Sequence, residues 1–171
     1  MTPPLTATVP FDRRAHRVET FSCGEESLDR WLRAYAGQSQ HRDAARTFVT
    51  AEPDGKVAGY YTLVAAQVEY DQATVDVRRG LSRYFPIPVA LLARLAVATP
   101  HQGTGLGRSL LLDALQRVLH ASEELAIRAV MVDALGERAS SFYRAFGFEP
   151  SDLAPNTLMI PLQITRQTLG S

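Results

Sequence analysis

The chain has 171 residues, of which 46% are apolar and 21% charged, and carries no formal net charge at pH 7. This length predicts a single domain over residues 1–171 with room for a substantial core, and the composition is that of an ordinary globular protein. There is no run of about 18 apolar residues to span or partner a membrane, no basic-then-apolar leader, and only one cysteine, Cys23, which excludes an internal disulfide and a thiolate metal cluster.

Along the chain, "HRVETF" reads as a short strand and "FSCGEESLDRWLRAYA" as a helix, with Leu28, Trp31, Leu32 and Tyr35 on one apolar stripe. Either Ser22 or Gly24 can cap that helix, and Glu25 and Glu26 fall in its first turn, where negative charge is favoured. "TFVTAE", the turn "PDGK" and "VAGYYTLVAAQVEY" form a hairpin. "ATVDVRRGLS" reads as a short helix, and "PVALLARLAVAT" as a strand buried on both faces. A helix follows from about Leu106 to Ala121, with Leu106, Leu110, Leu111, Ala114, Leu115, Val118 and Leu119 turned inward. "AIRAVMVDA" is a core strand, "ERASSFYRAF" a helix ended by Gly147, and "TLMIPLQI" a last strand. Alternating strands and helices around one hairpin predict an α/β (α+β) fold with a mixed sheet.

The segment "ATPHQGTGLGRSLL" puts Gly103, Gly105 and Gly107 between a strand and a helix that opens on Arg108. The first N–H groups of a helix have no internal acceptors and sit at the positive end of its dipole. Glycines let a ligand approach that backbone closely, so the segment reads as a phosphate cradle. Arg108 opposes the dipole by about 0.3–1 kcal/mol unless an anion is bound there. No lysine completes a P-loop, and Arg108 stands where a dinucleotide fingerprint needs its third glycine.

Gln102-Gly103-Thr104-Gly105-Leu106-Gly107 resembles the [QR]-x-x-G-x-[GA] loop of the GNAT superfamily of N-acetyltransferases, and "FYRAFGFEP" resembles that family's C-terminal "Y-x-x-x-G-F" element. The opening "FSCGEESLDRWL" resembles the "F-x-C-G-x-x-x-L-D-x-[FW]-L" start of GNAT toxins of the TacT and AtaT type. The resemblance implies a mostly antiparallel sheet, splayed at the cofactor strand and flanked by helices on both faces. It implies acetyl-CoA as co-substrate, its pyrophosphate on Gln102, Gly103, Thr104, Gly105, Leu106, Gly107 and Arg108, its pantetheine arm on the backbone of Leu95, Ala96 and Val97, and Tyr143 near the sulfur as the acid. It further implies acetylation of the α-amino group of aminoacyl-tRNA, a ribbon-helix-helix antitoxin and a homodimer. An N-acetyltransferase of small amines or peptide N-termini is the alternative. The intact loop and Tyr143 stand against a GNAT domain without catalysis. Cys23 reads as a small buried residue rather than a nucleophile.

No general base is legible; Glu52 and Glu69 lie on expected strands. An α-amine, with a pKa of about 8 against about 10.4 for lysine, needs less help in losing its proton. The four histidines show no metal-ligand spacing, and a metal-free, cytoplasmic protein is expected. Seventeen arginines and a single lysine, Lys56, carry the positive charge, and no acid falls between Val77 and Leu112. Arg78, Arg79 and Arg83, with Arg42 and Arg46 from the first helical region, are therefore the tRNA-binding candidates. The same arginines can instead hold the cofactor's 3′-phosphate or an acidic antitoxin segment, and neutral overall charge is unlike most nucleic-acid binders.

Overall fold

The computed structural model describes residues 4–169. Its strands follow the order β1-β2-β3-β4-β5-β7-β6 in a mixed, mostly antiparallel sheet, and the chain folds as two compact units.

The first unit comprises residues 4–64 and 93–114. It holds β1 (Val9–Pro10), helices α1 (Glu26–Ala34) and α2 (Ala36–His41), and β2 (Arg46–Ala51). It also takes the first part of β3 (Val57–Val68), the end of β4 (Ile87–Val97) and the start of α4 (Leu106–Ala121). The hairpin expected around "PDGK" is present: β2 and β3 pair antiparallel from Arg46↔Leu63 to Ala51↔Val57. Alternation along β3 sends neighbouring tyrosines to opposite faces. The Tyr60 hydroxyl donates to Leu28 O on α1 at 2.6 Å, while that of Tyr61 donates to the Asp113 carboxylate on α4. Helices α1 and α4 therefore cover opposite faces of this unit's strands.

Leu32 is fully buried beneath α1, packed with Phe21, Val49, Tyr60, Ala96 and Ala98. Leu32→Ala is expected to cost about 2–5 kcal/mol, seen as a lower urea midpoint at an unchanged m-value. The α1 stripe is shorter than its spacing implies: the helix stops at Ala34, and Tyr35 lies 46% exposed. Neither Ser22 nor Gly24 caps it. The N-cap is Glu25, which makes no side-chain cap bond; Asp29 reaches back instead, its Oδ1 accepting from Cys23 N at 2.9 Å. "HRVETF" is not a strand but a single bridge from Arg17 to Lys56 amid turns. Arg17 exchanges backbone bonds with Gly55 and Val57 at the hairpin turn, and that is all the pairing this short segment finds.

The second unit comprises residues 65–92 and 115–169. Helix α3 (Val75–Arg78) is capped by Thr74, and Arg128 closes its other end by donating to the carbonyls of Val77 and Arg79, both at 2.7 Å. Strand β5 (Ala129–Asp133) pairs parallel with β4 from Val89↔Ala129 to Leu92↔Val132 and antiparallel with β7 (Thr157–Pro161). Helix α5 (Glu137–Arg144) stops two residues short of the expected "ERASSFYRAF", and the turn after it closes at Gly147, whose φ is +99°. β6 (Glu149–Pro150) borders β7. The last strand is shorter than expected. Pro161 ends its ladder, and Leu162–Leu169 turn into a helix, α6, with Leu162 and Thr165 inward.

β4 is also less buried than its apolar run implies. Its register with β5 ends at Leu92, and Ala93, Arg94, Leu95 and Val97 beyond it are only half-buried. Among the described residues no helix is long and apolar enough to cross a membrane.

Candidate active site

Leu95, Ala96 and Val97 lead straight into the glycine segment, so the structure places these candidate residues in one continuous run of the first unit. After Val97 the chain makes a short 3-10 turn, Thr99–His101, with Pro100 supplying its fixed φ. Gly103 and Gly105 then take φ of +76° and +88°, values that L side chains avoid, and the space where a Cβ would stand is open at both. α4 begins at Leu106, and Ser109 N makes an early bond of this turn back to Gly105 O at 3.1 Å. The N–H groups ahead of it lie at the positive end of the helix dipole without intrahelical acceptors, an arrangement that suits an anion. Gly103, Thr104, Gly105 and Arg108 are exposed.

The loop is held from behind. Thr99 donates through its N–H and its hydroxyl to Ser22 O, at 2.8 and 3.0 Å. Gln102 Nε2 donates to Cys23 O at 2.7 Å and to Val97 O at 2.9 Å, so this carboxamide shapes the loop. Thr104 Oγ1 donates to His101 O at 2.6 Å. His101, only 4% exposed, pairs through Nε2 with Glu52 Oε1 at 2.9 Å. That pair was not legible in the sequence, because it joins residues 49 positions apart. His101→Phe is expected to lower global stability by about 1–3 kcal/mol by leaving Glu52 without its partner. Hydrogen exchange should show the amides of residues 103–107 opening faster than the hairpin does.

Tyr143 lies on α5 in the second unit. It is 8% exposed, with its ring against Phe142 and Phe148 at centroid distances of 5.2 and 5.5 Å. Burial pushes its pKa up to about 12, so the phenol keeps its proton at neutral pH. None of the described residues hydrogen-bonds its hydroxyl. A phenol in this state is a proton donor and not a base.

The arginine candidates fall into two separate sets. In the first unit Arg46 pairs with Asp43 at 2.6 Å and donates to Gln40 O, while Arg42 follows α2. In the second unit Arg78 and Arg83 converge on one ring, that of Tyr70, at 5.4 and 6.0 Å from its centroid. Arg79 pairs with Asp76 at 3.1 Å. The structure also singles out Arg94, whose guanidinium lies 4.3 Å over the ring of Trp31. Cys23 is half-buried, and burial and Asp29 raise its thiol to about 12, which fits its reading as a packing residue and not a nucleophile.

Residues 44–150 match the family model described as an acetyltransferase (GNAT) domain. The chain belongs to the GNAT acetyltransferase family. Across 156 residues, 91% of this GNAT chain and 92% of the relative, it is 41% identical to a tRNA-acetylating toxin of Mycobacterium tuberculosis. Among solved structures, AtaT complexed with acetyl-methionyl-tRNAfMet superposes with a TM-score of 0.87 at 28% identity, covering 96% of this chain and 99% of that one. A tyrosine-to-phenylalanine mutant of AtaT, bound to the C-terminus of the antitoxin AtaR and to acetyl-CoA, superposes with a TM-score of 0.84 at 27% identity over 98% and 99% of the two chains. The GNAT assignment makes this chain an N-acetyltransferase, with the seven-stranded sheet and flanking helices described above.

Proposed function

We propose that this chain, residues 1–171 as one catalytic domain, is a toxin that uses acetyl-CoA to acetylate the α-amino group of aminoacyl-tRNA and so stops translation. The observation that carries the reading is the 41% identity, over 91% of the chain, to a toxin named for acetylating tRNA. The AtaT complex with acetyl-methionyl-tRNAfMet supports the same acceptor. The AtaT complex with AtaR supports neutralisation by an antitoxin; we take that partner to be of the ribbon-helix-helix class and the active toxin to be a homodimer in the cytoplasm.

Acetyl-CoA supplies the acetyl thioester, and no metal is needed. The cradle at Gly103–Gly105 fits its pyrophosphate: two positive-φ glycines with open space on their Cβ side, ahead of a helix N-terminus. Gly107, Leu106 and Thr104 complete the turn, Gln102 shapes it, and Arg108 adds a charge-assisted contact. The backbone of Leu95, Ala96 and Val97 holds the pantetheine arm. Tyr143 keeps a proton for the departing sulfur, and the α-amine needs no dedicated base because much of it is already neutral near pH 8.

Phosphate contacts are assigned to Arg42, Arg46, Arg78, Arg79 and Arg83. Arg46 and Arg79 must first give up Asp43 and Asp76, but exposed ion pairs of this kind are worth only about 0–1 kcal/mol. Tyr84 and Phe85, 85% and 70% exposed beside Arg83, offer aromatic faces to unpaired bases.

The test uses labelled acetyl-CoA with charged tRNA, uncharged tRNA and a panel of small amines and peptides. Label only on charged tRNA supports the proposal. Label on small amines or peptides instead overturns the acceptor and leaves a GNAT enzyme of other amines.

A further inference from the structure

Arg94 is the only charged residue of β4, and it stands immediately before Leu95. Among the described residues no carboxylate, hydroxyl or carbonyl accepts a hydrogen bond from its guanidinium. One face of the group is covered by the Trp31 ring at 4.3 Å, and that ring stacks in turn on Tyr60, with centroids 6.3 Å apart and planes 13° from parallel. Tyr60 offers no compensating charge: its hydroxyl is committed to Leu28 O, and burial raises its pKa further. Burial also lowers the pKa of Arg94, which is the mark of a cation taken partly out of water without a counter-ion.

A cation–π contact recovers only part of such a cost. An apolar residue would suit this strand position as well as those on either side of it, so packing gives no reason for an arginine. What the arrangement does provide is a flat guanidinium held by its face, with its edge N–H groups unspent. That fork matches two oxygens of a phosphate.

The anion in question is not the one at the glycine cradle. Trp31 lies on α1, whereas the cradle opens α4, and these helices cover opposite faces of the first unit's strands. Three strand residues, about 10 Å, also separate Arg94 from Val97, where the loop begins. The geometry points to Arg94, seated on Trp31, as the contact for a phosphodiester near the 3′ end of the RNA acceptor. This assignment rests on the aminoacyl-tRNA reading, and it places a contact that positions the acceptor end on the strand that also carries Leu95, Ala96 and Val97.

The experiment measures fluorescence anisotropy of a labelled, uncharged RNA hairpin ending in CCA, titrated with wild type, Arg94→Gln and Arg94→Lys, and in parallel the acetyl-CoA affinity of each by calorimetry. Arg94→Gln should weaken RNA binding about tenfold or more and leave acetyl-CoA affinity unchanged. The slope of log K against log salt should fall by about one. Arg94→Lys keeps the charge without the fork and should recover only part of the affinity; it carries the test if the glutamine variant does not fold. RNA affinity equal to wild type in both variants overturns the inference, as does a loss confined to acetyl-CoA or a wild type that does not bind the hairpin. A wild type that binds the hairpin through Arg94 but transfers no acetyl group to charged tRNA defeats the functional reading alone.

Discussion

Replacing Tyr143 by phenylalanine is expected to lower kcat by about 10²- to 10⁴-fold while KM for acetyl-CoA stays as it was, because the change removes one proton donor and nothing else. The prediction is clean because the hydroxyl has no hydrogen-bond partner among the described residues and the ring keeps its packing on Phe142 and Phe148. The variant should therefore melt at the wild-type temperature. Steady-state kinetics and a thermal melt on one preparation check both halves; a turnover within a few-fold of wild type removes Tyr143 from the chemistry. Alkaline stability gives a second signature. The folded pKa of about 12 lies above the ordinary tyrosine value of 10.0. The unfolded chain thus loses this proton first, and the associated stability, complete below pH 10, drains away as pH climbs toward 12. Tyr143→Phe should be missing that part of the loss.

Arg108→Glu should weaken cofactor binding in a chain that stays folded. Losing a charge-assisted contact to phosphate and gaining a repulsive one is expected to raise the acetyl-CoA dissociation constant by about 10- to 100-fold. A carboxylate in the first turn of α4 suits the helix dipole, by about 0.3–1 kcal/mol, so the variant should remain folded. Calorimetric titration and melting of the same variant read the two effects. Undiminished cofactor affinity would sink the assignment of the cradle, and a loss of affinity that merely tracks a loss of fold would leave it without support.

The elements with strong local signals were legible in the sequence. α4 runs from Leu106 to Ala121, the bounds its apolar spacing predicts, and the β2–β3 hairpin sits on its turn residues. Local signals also misled. "TLMIPLQI" is mostly apolar across both elements, and Pro161 marks the change from strand to helix. Tyr35 keeps the spacing of the α1 stripe but falls one residue beyond the last helical turn, so it points outward. In the candidate site, the glycine cradle and Tyr143 carry short motifs and could be named. The His101–Glu52 pair and the seat of Arg94 on Trp31 could not, since each joins residues far apart in the chain and depends on which strand face meets which helix.

Gln102 reaches past its own loop to grip the carbonyl of Cys23. The single thiol of this chain is thereby wired to the cradle through one side chain. Burial and the neighbouring Asp29 push that thiol up to about 12, so it stays protonated at neutral pH and alkylation is slow while the segment stays closed. Its labelling rate becomes a clock for how often residues 22–24 come away from the loop, readable by mass spectrometry without installing any probe. A ligand that stiffens the cradle should slow that clock in native, unmodified protein.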